Sequence, residues 1–230
     1  MNPVPRILVF LLASASIASL LGELYRSWSM QSFTLAVFLP ACGLLVAMAL
    51  YDRWRGDGRL CRITFIGALA GFSAAVAYDV FRLPFVFSRS LGLDHFIPPL
   101  PLFKVFPRFG EMILHTTDVN WLANNLVGWS YHFSNGVTFG IMYAALVNGQ
   151  WRPRWGVAIL FAVGLELAML FTPYPAAFAI RLTANFVLVT LAAHLIFGVT
   201  MGRMCIRLER GMDWARLKRG DSAKFRADQG

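Results

Sequence analysis

The sequence predicts an all-α fold, a polytopic membrane bundle of six transmembrane helices. Three observations carry that expectation. Of the 230 residues, 57% are hydrophobic and only 14% charged, against about 25% charged in a typical soluble domain; the mean hydropathy is +0.58. Six apolar runs approach or exceed the roughly 18 residues that mark a bilayer span, and none alternates as a ~10-residue barrel strand would. Most basic residues sit between these runs, as membrane topology requires. A soluble single-core domain, a disordered chain and a disulfide scaffold are excluded.

The runs cover residues 7–22, 33–51, 63–87, 122–147, 155–171 and 182–201. The first also resembles a secretory signal, with Arg6 before it and Ala13-Ser14-Ala15 inside it. A multi-span chain needs no cleavage, so it is read as a span. Residues 1–205 then form a single transmembrane domain. Fifteen of the 21 lysines and arginines fall on one side of it, in Arg6, the Arg53–Arg62 loop, Arg152, Arg154 and the stretch from Arg203 to Arg226. That bias places both termini in the cytoplasm and the chain in the cell inner (plasma) membrane.

The loop 88–121 should face outward and lie at the interface. It carries Ile97-Pro98-Pro99-Leu100-Pro101 and then Phe103, Phe106, Phe109 and Trp121. Such a loop lies on the bilayer surface or caps the bundle; Asp118 reads as the N-cap of the fourth span. The first two helices should pack peripherally. The basic cytoplasmic tail, 206–230, interleaves Leu208, Met212, Trp214 and Leu217 with its charges. It is either a short helix held on anionic inner-leaflet lipids or a solvated tail that enforces topology. The formal net charge of +9 is explained by this distribution, and no nucleic-acid partner is expected. Cys42, Cys61 and Cys205 form no C-x-x-C pair.

Two spans share a nine-residue pattern. His132-Phe-Ser-Asn-Gly136-Val-Thr-Phe-Gly140 and His194-Leu-Ile-Phe-Gly198-Val-Thr-Met-Gly202 both read H-x3-G-V-T-x-G. The spans before them each hold one acidic residue, Asp79 ahead of Pro84 and Glu166 ahead of Pro173. Spans three and four therefore read as one hairpin and spans five and six as its copy, a parallel repeat about an axis along the membrane normal. These H-x3-G-x3-G spans resemble those of small polytopic bacterial inner-membrane proteins. That resemblance covers the two hairpins and implies a helical bundle; it brings no activity and no catalytic residue.

Residues four apart share a helix face. Gly67, Gly71, Ala75 and Asp79 make one stripe; Gly128, His132, Gly136 and Gly140 a second; Ala158, Ala162 and Glu166 a third; Thr190, His194, Gly198 and Gly202 a fourth. Small residues let membrane helices approach. All four ionisable groups should thus point into the bundle, about 10–18 Å below the outer surface at 1.5 Å per residue. A buried carboxylate costs about 2.5–3.5 kcal/mol near the bilayer centre, so each needs a partner. Arg82 can pair with Asp79 along the helix, and Asn135 lies beside His132 on its own helix.

Several readings of this cluster are open. The polar groups can simply hold the helices together, as in a structural or assembly subunit of a membrane complex. Asp79, His132, Glu166 and His194 can hold a divalent metal ion, or Asp79, Arg82, His132, Asn135, Glu166 and His194 another small ligand entering from the outer side. His132 and His194 can ligate one haem b, with the glycines making room for the porphyrin and Arg82 or Arg181 pairing its propionates. Intramembrane acids and imidazoles also serve small transporters and proton relays, and a homo-dimer could complete a pathway. No nucleophile elbow, phosphate loop or Walker lysine is present, and no reaction is assigned.

Overall fold

Small residues set how closely these helices approach, and that approach positions the polar groups. The structure is a computed structural model describing residues 3–115 and 120–227, with side chains over 4–115 and 120–212. In chain order the helices are α1 (Pro3–Leu24), α2 (Met30–Arg55), α3 (Arg59–Phe87), α4 (Val105–Leu114), α5 (Trp121–Val147), α6 (Trp155–Leu170), the single turn α7 (Tyr174–Ala177) and α8 (Ala184–Ala227). No strand occurs among the described residues.

Four helices are long and apolar enough to cross a membrane: α1, α2, α3 and the Ala184–Met212 part of α8. Helix α5 has the length, 27 residues, but Asn124, Asn125, His132 and Asn135 dilute its hydropathy. Helix α6 is apolar and has only 16 residues, about 24 Å of helix. Neither therefore counts among the helices both long and apolar enough to cross, and six crossings are not shown.

Local chemistry explains the ends and irregularities. In α2 a π-turn, Thr34–Phe38, precedes Pro40, and the Leu39 N–H reaches back to the Thr34 carbonyl. Proline offers no N–H and crowds the preceding turn, which a widened turn accommodates. Between α2 and α3 the chain reverses at Gly58, in the left-handed region at φ 68°. The Asp52 carboxylate accepts the Cys61 N–H at 2.9 Å and the Asp57 carboxylate the Arg59 N–H at 2.9 Å. These acids satisfy helix-terminal donors within an otherwise basic turn. Asn120 caps α5, its side-chain oxygen accepting the Ala123 N–H at 3.4 Å; Asp118, the expected cap, lies outside the described residues.

Helices α3 and α5 meet backbone to backbone. A Cβ added at Gly71 would stand 2.2 Å from the Gly136 carbonyl oxygen, and one at Gly140 would stand 2.0 Å from that of Gly67. No residue but glycine fits there. Helices α6 and α8 meet in a related way, a Cβ at Gly198 falling 2.6 Å from the Ile159 Cα. Helix α3 also packs on α8, which joins the two pairs.

Two expectations about the periphery need correction or choice. Helix α2 is peripheral, but α1 is not: Ala13, Ser16 and Ser19 are wholly buried. The Ser16 and Thr138 hydroxyls are 2.6 Å apart, and Tyr131 donates its hydroxyl proton to the Ser16 carbonyl at 2.7 Å. The apolar run of α1 concealed a polar seam because serines at i, i+3 are hydropathically mild. The part of the long loop from Leu102 to Leu114 packs on the bundle, while Leu91, Leu93 and Phe96 before it are exposed. Its Leu102, Phe106 and Phe109 are buried, and α4 lies so close to α5 that a Cβ at Gly128 would meet the Phe106 carbonyl at 1.7 Å. The tail does not form a separate element. The backbone of α8 stays helical to Ala227.

Candidate functional site

The ionisable residues singled out by spacing are all drawn into the bundle, but as two pairs. On the first, α3 presents Asp79 and α5 presents His132, whose Nε2 lies 2.8 Å from Asp79 Oδ2. A carboxylate only accepts, so Nε2 carries the proton in this contact. The other Asp79 oxygen lies 3.3 Å from Arg82 Nη1, an i, i+3 neighbour on the same face. Arg82 Nη2 also donates to the Leu102 carbonyl, tying the capping loop to α3. The guanidinium stands 4.6 Å from the Tyr78 ring centre and 5.1 Å from that of Phe103. His132 is walled by Phe106, at 4.3 Å between ring centres, and by Trp129 and Phe133. This pair is therefore neutralised by a fixed cation and flanked by aromatic rings.

The second pair joins α6 and α8. Glu166, 3% exposed, has its Oε2 3.3 Å from His194 Nδ1. That nitrogen also donates to the Thr190 carbonyl one turn back, at 2.9 Å. The backbone carbonyl fixes the proton on Nδ1, because a carbonyl offers no hydrogen. No guanidinium or ammonium forms an ion pair with Glu166 among the described residues.

Tyr78 connects the two. Its ring centre is 6.1 Å from that of His132 and 4.9 Å from that of His194. Both imidazoles also line a small cavity of about 100 Å³, together with Asn135. Asn135 does not bond His132; its side-chain oxygen is buried without a hydrogen-bond partner. A second cavity of about 510 Å³ opens on the other side of Tyr78 and Arg82, between the capping loop and the α6–α8 connection. Glu166, Thr190 and Tyr174 form part of its wall, and Lys104, Arg108 and Arg181 stand around it. Burial pushes the Tyr174 phenol up, so it remains a neutral hydroxyl there.

This geometry narrows the sequence readings. Among the described residues no three His, Cys, Asp or Glu side chains stand together as metal ligands, so Asp79, His132, Glu166 and His194 do not converge on one cation. Nor do the residues fit a haem. The glycines expected to make room for a porphyrin are filled by neighbouring backbone, and the cavity that both histidines line, about 100 Å³, is small beside the ~300–1,000 Å³ of ordinary ligand pockets.

Sequence reasoning passed over Tyr78, Tyr174 and Lys104. Tyr78 had a signal, since it stands four residues before Arg82 and next to Asp79. Tyr174 and Lys104 had none, because they reach the site through loop packing. No family model, curated protein or solved structure matches this chain.

Proposed function

We propose that this chain is a six-span inner-membrane protein, built on a duplicated hairpin, that admits a small ligand from the outer side. The ligand's polar end meets Glu166, the partner of His194, in the larger cavity. One observation carries this reading. Glu166 is 3% exposed and paired with an imidazole at 3.3 Å, yet it lines a cavity of about 510 Å³. An ionisable group inside a span is costly and marks function by default. A concave, largely apolar pocket with a few convergent polar groups is the usual ligand site.

The reading is tested by chemical access. Thr190 is buried and lines this cavity. In a chain whose native cysteines are replaced by alanine, Thr190→Cys should react with a membrane-impermeant thiosulfonate added outside intact cells. Labelling only after the cytoplasmic side is opened, or none in the folded protein, overturns the reading.

Tyr78, in contact with both imidazoles, favours a second reading, a proton relay between the pairs. In proteoliposomes under an imposed pH gradient, Tyr78→Phe should then abolish a proton flux that the unaltered chain supports. Absence of any flux in the unaltered chain removes the relay.

A further inference from the structure

The lining of the larger cavity also selects a class of ligand. Four cations stand on its wall, Arg82, Lys104, Arg108 and Arg181, against the single carboxylate Glu166. Two of the four are already engaged, Arg82 with Asp79 and Arg108 with Glu111 at 2.8 Å. Lys104 and Arg181 have no ion-pair partner among the described residues. The intervening wall is apolar, with Met169, Leu170, Phe178, Ile180 and Phe186 prominent. A cationic ligand would meet repulsion at the rim, and a purely polar anion would leave the apolar wall unused. The volume of about 510 Å³ lies within the range of small-molecule pockets.

We infer that the cavity binds an anionic amphiphile. A phosphate or carboxylate head is held by Lys104 and Arg181, and an apolar chain lies against the Met169–Phe186 wall. This deepens the proposed function and rests on the cavity being open to the outer side. Arg181 supplies a planar fork suited to either oxyanion, and Lys104 a mobile point charge. The tyrosine hydroxyls of Tyr78 and Tyr174 supply neutral donors below the head. Glu166 also lies on the wall, where a hydroxyl of the ligand would find an acceptor. The same chemistry has two sources, a free alkyl phosphate or fatty acid outside the cell, or the headgroup of an anionic lipid.

The test uses the Thr190→Cys chain in phosphatidylcholine nanodiscs, following the rate of thiol modification. Decyl phosphate should slow it about tenfold; inorganic phosphate and decyltrimethylammonium should leave it within about twofold of the probe-free rate. In a chain that also carries Lys104→Gln and Arg181→Gln, protection by decyl phosphate should fall below about twofold against that chain's own probe-free rate. Phosphatidylglycerol in place of a fraction of the phosphatidylcholine separates the sources. Protection by it assigns the site to a bilayer lipid, and protection by decyl phosphate alone to a free amphiphile. Equal rates with and without both anions overturn the inference, as does protection by inorganic phosphate alone or by the cation. If Thr190→Cys proves inaccessible from outside in cells, the proposed function fails first. If it reacts but no anionic amphiphile protects it, only the ligand class fails.

Discussion

The two acid–imidazole pairs share a sequence pattern and differ in surroundings. Asp79–His132 is braced: Arg82 neutralises the carboxylate, the Leu102 carbonyl anchors Arg82, and Phe103, Phe106 and Trp129 pack around them. Glu166–His194 has no fixed cation of its own among the described residues, and Glu166 looks onto a cavity of about 510 Å³. The difference originates outside the shared pattern. The long loop after α3 folds back as α4 and fills the space above Asp79. The shorter connection after α6 and the middle of the long loop together wall a cavity beside Glu166. One pair is thus compensated by a fixed cation, while the acid of its counterpart faces a cavity.

This contrast is broken or sharpened most strongly at the carboxylates. Asp79→Ala strands Arg82 and His132 inside the bundle, and losing one partner of a buried ion pair costs about 3–5 kcal/mol. Glu166→Gln should cost about 0.6 kcal/mol, the scale of one interhelical hydrogen bond in a membrane, since His194 keeps the Thr190 carbonyl. Thermal unfolding in detergent should separate the two variants clearly. Equal losses would make the pairs equivalent and end the division of labour.

A smaller effect is expected from the helix contacts that hold the first pair. Gly71→Ala places a methyl 2.2 Å from the Gly136 carbonyl and should cost about 1–3 kcal/mol through forced separation of α3 and α5. Gly164→Ala on α6 meets nothing within 4 Å and should be neutral or stabilising by up to about 1 kcal/mol, the helix-propensity difference. The same melting assay reads both, and a tolerated Gly71→Ala would show that the interface is looser than these contacts require.

The smallest effect belongs to the polar seam of α1. A double-mutant cycle over Ser16→Ala and Thr138→Ala should yield a coupling of about 0.6 kcal/mol, measured from denaturant or thermal unfolding. Zero coupling would mean that the 2.6 Å contact merely accompanies the packing of α1 on α5.

Much of the site was legible from spacing. The stripes ending in Asp79, His132, Glu166 and His194 do turn inward, because residues four apart share a helix face whatever the helix packs against. Arg82 as the partner of Asp79 was legible for the same reason. The pairing across helices was not. Four inward groups can meet as one cluster or as two couples, and the choice depends on where the glycine contacts lock each helix pair. The cap formed by Phe106 and Phe109 was equally hidden, since an aromatic, proline-punctuated loop suits a bilayer surface as well as a bundle end.

What the sequence by itself determined is local: apolar helices, and the facing of each polar side chain on its own helix; it predicted six spans, and the structure has four helices long and apolar enough to cross a membrane. Hydropathy and the 3.6-residue turn are properties of short stretches, so they survive without knowledge of partners. Only the tertiary structure decided that the acids and imidazoles divide into two pairs, one of them braced by Arg82, that α1 belongs to the core, and that Lys104 and Arg181 stand around a common cavity. Those outcomes depend on contacts between residues far apart in the chain, which are settled when whole helix faces and a loop pack together.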